Sequence, residues 1–385
     1  MKSKLRLLLA LVLSVVPFVL GKHIYRLAWD ASIGQRVRVR FGTLILADRI
    51  RLDDDTRIGF FNLIVASDLR MDRASAIGNF SRIFVNSYTS GPRSQIGSWV
   101  SIMADPRDKN SSFVMGNESW IFERCYLNVA RPVRLGVNVG IGGGSYLFTH
   151  GYWLSQLEGF PVAYGAITIA DDVWLPWGCF IMPGVKIGEK AVVGACSVVT
   201  KSVPPAALMA GVPAKLVKDK SYREVSSAGK IEMLRALTAE YAAYYAKTID
   251  WRQTGEWMTC YLDGAARLAY PLHEDIAPQL DQGQDVLHLT FAPSAPDSSS
   301  ISLCLSLVDY CCSPFDRLHG DHVAWLRFGR RIGLRAYPLD ELGARDHYSI
   351  RTSSYSTAST PDPRSISKTR APSDSEGSIG GLTDA

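Results

Sequence analysis

The sequence lacks a paired-cysteine framework. Its seven cysteines are odd in number, none has CxxC spacing, and Cys311 and Cys312 are adjacent. That excludes a disulfide scaffold or a cysteine zinc site. It points to free thiols in a reducing compartment, hence the cytoplasm. Basic stretches interleaved with aromatics are also lacking, so no nucleic-acid partner is indicated. The net charge of +5 is mild and suits an anionic cofactor or a lipid surface. The apolar run at 7–20 is interrupted by Ser14 and Pro17. At about 14 residues it is short for a membrane span, which needs roughly 20. Lys2, Lys4 and Arg6 precede it; Lys22, His23 and Arg26 follow it. Three readings remain open: a segment lying on or anchored to the cytoplasmic leaflet, the apolar part of a cleaved signal, or a buried helix. Basic flanks on both sides favour the first, so residues 1–30 are expected to be membrane-associated.

What is present is an ordinary globular balance, with 47% hydrophobic and 21% charged residues. The 385 residues suggest two or three domains. The informative feature is a repeat. Ile169, Leu175, Ile181, Ile187, Val193 and Val199 fall in steps of six. Two positions before each stand Ile167, Val173, Cys179, Val185, Ala191 and Ser197, and glycine follows at Gly188 and Gly194. Val129, Leu135, Ile141 and Leu147 carry the same phase upstream, with Gly136 and Gly142. Looser copies reach back through Ile96, Ile77 and Ile58 to Ile33, each followed by glycine.

A helix would spread such residues around its whole surface. A short flat strand followed by a turn can use the spacing. Three such units close a triangular coil of about 18 residues, and stacked coils bury what no single coil can bury alone. The expected fold is mainly β: a left-handed parallel β-helix over 31–219, followed by a helix and a small α+β module. Two stretches break the period: the polar run 105–123 and the aromatic run 151–165, which contains Tyr152, Trp153, Phe160 and Tyr164. Insertions of this kind leave a solenoid as loops and often build its site. Beyond the repeat, 223–247 reads as one or two helices, able to cap the open end of the solenoid. Residues 220–348 form the α+β module, with strands near 286–291 and 301–307 and a helix near 315–332. Residues 349–385, rich in Ser, Thr and Pro, are expected to be disordered.

Of the seven histidines, only His150 lies within the ladder. It ends the stretch Leu147, Phe148, Thr149 and opens the aromatic loop, a coil corner at the mouth of an insertion. An imidazole there could remove a proton from an attacking hydroxyl or amine. It would need a group to orient its other nitrogen. Asn128, a little more than one coil earlier, is a candidate. An ordinary turn residue is the alternative reading for both. Near the end of the ladder, Thr200 and Lys201 are followed by Gly211, Lys215 and Lys218. Small residues such as Ala195 and Gly211 would admit an extended cofactor, and the lysines could meet phosphates.

The stretches IADDVWLP at 169–176, PGVKIG at 183–188, VVGA at 192–195, VVTK at 198–201 and AGVPAK at 210–215 resemble the hexapeptide-repeat acyltransferases. Among these, the sugar O-acetyltransferases of exopolysaccharide, O-antigen and colanic acid biosynthesis are most similar. The resemblance implies a homotrimer with sites between neighbouring prisms, acetyl-CoA as co-substrate, no metal, and a catalytic histidine matched by His150. It puts Asn128 at the polar position facing that histidine. It sets Trp177, Gly178, Ala195, Thr200, Lys201, Gly211, Lys215 and Lys218 along the cofactor. Leu175 and Pro176 after Trp174, and Trp177 in place of a small residue, depart from the family pattern.

The expected function is therefore acetyl transfer to a sugar hydroxyl at the inner face of the membrane. A carbonic anhydrase of the same fold would need three imidazoles around zinc, which one solenoid histidine cannot supply. An antibiotic or amino-sugar N-acyltransferase, and a non-catalytic scaffold, remain as alternatives.

Overall fold

The computed structural model describes residues 2–29, 31–151, 153–272, 286–290, 304–306, 311–313, 320–329 and 337–338. Its architecture is mainly β, a parallel solenoid consistent with the left-handed coil, whose sheets of 13 and 10 strands run along the prism. In the later coils each edge is only two or three residues long, as at Ile167–Ile169, Trp174–Leu175 and Phe180–Ile181. Successive coils pair in parallel and in register: Ile141 with Leu175, Leu147 with Ile181, Ile181 with Val199. The aliphatics spaced by six from Ile169 to Val199 are all fully buried. Burial of each contributes about 1.5–3 kcal/mol.

The earlier coils are built differently. Leu44–Leu52, Leu63–Met71 and Arg82–Ser90 are nine-residue strands that carry two edges of the triangle in one continuous run. Equivalent positions here are 19 residues apart, one more than the sequence period implies. The expected 18 holds later, between Trp174 and Val192. The polar run 105–123 is also less of an interruption than its composition suggests. Ser112–Met115 pairs in parallel with both Ser87–Ser90 and Val133–Leu135, and Trp120–Ile121 lies between neighbours in the second sheet. Only the short stretch between Ser101–Met103 and Ser112–Met115 leaves the coil. Polar side chains there face outward, serve in turns, or are buried and bonded to the next coil, as Ser119 Oγ is to the Gly136 carbonyl at 2.7 Å, so low hydrophobicity does not mean a loop.

Inside one corner runs a polar ladder. Thr43, Asn62, Ser81, Ser145 and Ser197 are buried. Each reaches backbone of a neighbouring coil: Asn62 Nδ2 donates to the Gly78 carbonyl at 2.8 Å, Ser81 N–H to Asn62 Oδ1 at 2.8 Å, and Cys179 N–H to Ser145 Oγ at 3.1 Å. Cys125 and Cys179 occupy two rungs, with sulfurs 3.3 Å from the Gly142 carbonyl and 3.2 Å from the Pro176 carbonyl. Burial pushes both thiols up to about 11, so they stay protonated.

Two helices, α1 (Lys2–Val15) and α2 (Phe18–Trp29), close the first coil. Pro17 has no N–H and cannot continue α1, which splits the apolar run into two short helices. Ala10, Leu13, Tyr25 and Trp29 join the solenoid core. Among the described residues no helix is long and apolar enough to cross a membrane. Beyond the solenoid, α3 (Ser227–Tyr244) is one helix, capped by the Ser226 hydroxyl. Its Leu234, Leu237 and Tyr241 pack in a separate core with Cys260, Leu268, Leu287, Trp325 and Phe328. That core lies on a seven-stranded sheet opened by the meander Ile249–Thr254, Trp257–Leu262 and Ala265–Pro271. Helix α4 (Gly320–Gly329) falls within the expected helical stretch. The 349–385 tail and Tyr152 lie outside the described residues.

Candidate active site

The corner that carries His150 is held by backbone on both sides. Tyr146–Phe148 pairs with Tyr126–Asn128 in the coil below, which sets Asn128 beside Phe148. The next residue, Thr149, is fully buried. Its hydroxyl sits 3.0 Å from the Asn128 carbonyl and 2.9 Å from Asn128 Oδ1, and it accepts the Arg131 N–H at 3.0 Å. The chain then leaves the coil as an antiparallel ribbon, pairing His150 with Tyr164 and Gly151 with Ala163. The Gly165 N–H returns it to the coil by donating to the Thr149 carbonyl at 2.9 Å.

This scaffold brings the two sequence-predicted residues together. His150 Nδ1 lies 2.7 Å from Asn128 Oδ1. The same oxygen accepts the Ala130 N–H at 3.3 Å. A backbone N–H can only donate, so the carbonyl end of the amide faces the ring. Nδ1 therefore carries a proton, and in the neutral ring Nε2 holds the lone pair. Tyr164 stacks on the imidazole, centroids 5.8 Å apart and planes 22° from parallel. The Arg131 guanidinium covers the Tyr164 ring at 4.4 Å and lies 3.9 Å from Asp108. Both excursions from the coil thus meet at this corner. Thr149, Arg131 and Tyr164 carry no pattern of their own in the sequence. Only their nearness to His150 and Asn128 could have drawn attention to them.

The other predicted residues fall on two further features. Trp177, Gly178 and Ala195 lie at the next corner around the prism, between Trp174–Leu175 and Phe180–Ile181 or between Val192–Val193 and Val198–Val199. The Trp177 ring folds over the preceding coil: a Cβ on Gly143 would stand 1.8 Å from it. Gly178 has φ +72°, and a Cβ there would meet Cys196 Sγ at 3.1 Å. Thr200 and Lys201 are exposed where the chain leaves Val198–Val199, the turn equivalent to that of His150 two coils on. Gly211, Lys215 and Lys218 sit on the closing hairpin Leu208–Gly211 and Ala214–Lys218. Gly211 is tied back to the ladder through its N–H to Ser197 Oγ, 2.9 Å. The three lysines are exposed. Among the described residues, no group of three or more His, Cys, Asp or Glu could hold a metal ion.

A Schizosaccharomyces pombe protein named as an acetyltransferase is 39% identical over 95 residues, 24% of this chain and 45% of that protein. A chloramphenicol acetyltransferase of Morganella morganii is 47% identical over 73 residues, 19% of this chain and 34% of the enzyme. The galactoside O-acetyltransferase of Escherichia coli is 43% identical over 58 residues, 15% and 29% of the two chains. The chain's relatives are hexapeptide-repeat acetyltransferases. The matched stretches span less than half the length of these three relatives. No family model matches. Among solved structures, a hexapeptide-repeat acetyltransferase of Vibrio cholerae, complexed with acetyl-CoA, is 26% identical at a TM-score of 0.30, over 34% of this chain and 69% of that one.

Proposed function

We propose that this chain transfers an acetyl group from acetyl-CoA to a sugar hydroxyl, with His150 as the general base and Asn128 as the residue that fixes its tautomer. The observation that carries this reading is the 2.7 Å bond from His150 Nδ1 to an amide oxygen, which leaves the lone pair on Nε2. In the reaction, the hydroxyl oxygen bonds to the thioester carbonyl carbon while its proton passes to Nε2. The carbon–sulfur bond then breaks, and the imidazolium returns the proton to the departing thiolate.

Acetyl-CoA is a long, phosphorylated co-substrate. Ala195 and Gly211 offer small edges to its arm, and Lys201, Lys215 and Lys218 exposed cations to its phosphates. His150 and the Trp177, Gly178 and Ala195 edge belong to different corners of one prism. A homotrimer in which one copy's His150 corner faces another's Ala195 edge would complete the site. The loop beyond His150 supports such a neighbour: Trp153 is 94% and Leu157 99% exposed. The name of the galactoside O-acetyltransferase supports a sugar acceptor. We further propose that this acceptor belongs to surface polysaccharide assembly at the cytoplasmic face of a membrane, a reading supported by the exposed aliphatics of α1 and α2. The name of the chloramphenicol acetyltransferase supports a second reading, acetylation of a small antibiotic.

The test is CoA release by the purified chain with acetyl-CoA and a panel of mono- and oligosaccharides beside chloramphenicol. Release that depends on a sugar supports the proposal. Release with chloramphenicol alone replaces the acceptor. No release with any acceptor, and no binding of acetyl-CoA, overturns the enzyme reading.

A further inference from the structure

The two helices at the start of the chain are bound to the prism on one side only. Arg6 pairs with Asp48 at 3.2 Å, Arg26 donates to the Ile33 carbonyl at 2.6 Å, and the Gly42 N–H donates to the Ser14 carbonyl at 2.7 Å. Away from these contacts the helices expose aliphatics at Leu8, Leu11, Leu20 and Leu27, the last 88% exposed. Lys22 and His23 sit beside this face in the sequence.

The apolar side does not end with the helices. The α1–α2 link, with Val15, Pro17 and Phe18, forms one wall of a groove whose other wall is Arg38, Arg40 and Phe41 on the first coil. A second groove shares Arg38 and Arg40 and continues to Arg57. Arg38 and Arg57 stand side by side in register, and Arg40 lies 5.7 Å over the Phe60 ring. Exposed Phe41 and Phe61 meet edge to face at 5.8 Å. Other arginines of these coils are matched with acids: Arg36 with Asp55, Arg49 with Asp68, Arg70 with Asp72. Among the described residues Arg38, Arg40 and Arg57 make no close ion pair; Arg57 acts on Asp55 only through space, helping to hold that carboxyl below its usual range.

We propose that the aliphatic side of α1–α2 and the Arg38, Arg40 and Arg57 face form one docking surface for an anionic lipid leaflet. This extends the membrane reading above from the helices onto the prism itself. Aliphatics enter the acyl boundary, phenylalanines lie at headgroup depth, and the guanidinium groups take lipid phosphates. A soluble polyanion would satisfy the arginines and leave the aliphatic side in water. A second copy meeting this surface about a two-fold axis would set three arginines against three more. A leaflet answers both halves of the surface.

Flotation of the full chain with vesicles of phosphatidylcholine alone, and of phosphatidylcholine with phosphatidylglycerol, tests this. Wild type should bind the anionic vesicles far more tightly, and less so as salt rises. The R38Q/R40Q/R57Q variant should lose about a hundredfold in that binding while keeping its melting temperature and its acetyl-CoA affinity. The L8Q/L27Q variant should lose binding to the same vesicles. If L8Q/L27Q abolishes binding and the arginine variant binds like wild type, the prism face takes no part; this inference fails and the membrane reading of the helices survives. If wild type binds neither vesicle, both fail. Loss of a self-associated form in L8Q/L27Q, with no vesicle binding, assigns the surface to a second copy and overturns the proposal.

Discussion

The early and late coils of the prism share one core and differ at one corner. In the early coils, nine-residue strands such as Leu63–Met71 run through that corner without a turn, and each pairs along its length with the next. In the late coils the strands shrink to two or three residues, and the same corner opens into turns and the loop that begins at His150. Continuous pairing leaves no backbone to bend outward. Short edges leave the corner free to present side chains. Under the proposed function, continuous pairing makes the early coils scaffold and the open corner makes the late coils the place for chemistry, although their buried aliphatics are interchangeable in kind.

If that division is right, core cavities in the two halves should cost the same stability and differ in their effect on catalysis. Ile64→Ala and Leu147→Ala each empty a fully buried site and should each lower unfolding free energy by about 2–5 kcal/mol in urea titrations. Only Leu147→Ala, two residues from Thr149 and three from His150, should also reduce turnover under folding conditions. Equal turnover losses would dissolve the comparison. Next in size, Asn128→Ala frees the imidazole to turn and should reduce kcat by about a hundredfold. Asn128→Asp places a carboxylate against Nδ1 and favours the imidazolium. The acid limb of the kcat/KM profile should then move to higher pH, because the base must first lose its proton. Lys201→Gln and Lys215→Gln should raise KM for acetyl-CoA by about two- to fivefold each and leave kcat unchanged, as expected for exposed charge contacts.

The smallest effect is chemical. Cys196 is exposed at the Ala195 edge, while Cys125 and Cys179 are buried with thiols pushed up to about 11. Among these three, alkylation near pH 8 should mark Cys196 alone by peptide mass mapping. Bound acetyl-CoA should slow it.

The late coils were legible because each edge repeats one aliphatic every six residues and nothing else competes with that signal. His150 was legible as the lone histidine of the ladder, and Asn128 by its distance in coils. The early coils were legible in outline only, since merging two edges into one strand adds a residue and breaks the phase between Ile45 and Leu52. The stretch 105–123 misled for a related reason: Ser112 and Ser119 read as loop residues, yet one begins a paired strand and the other is buried in the prism. Helix α3 was legible as a helix but its core partners were not, because an apolar stripe states that a partner exists and not which one. Its partner, the meander from Ile249, carries no repeat that could announce it. Arg131 and Tyr164 could not be assigned beforehand, because their meeting depends on how the loop folds back.

Under the proposed function, Nε2 of His150 is the base. Acetyl transfer to the best sugar acceptor should be measured for wild type and for His150→Ala, with melting temperature and acetyl-CoA affinity followed in parallel. If His150 is the base, kcat should fall about 10²–10⁴-fold with the other two quantities unchanged. Equal turnover in the two proteins would contradict that role and move the search for the base elsewhere on the prism.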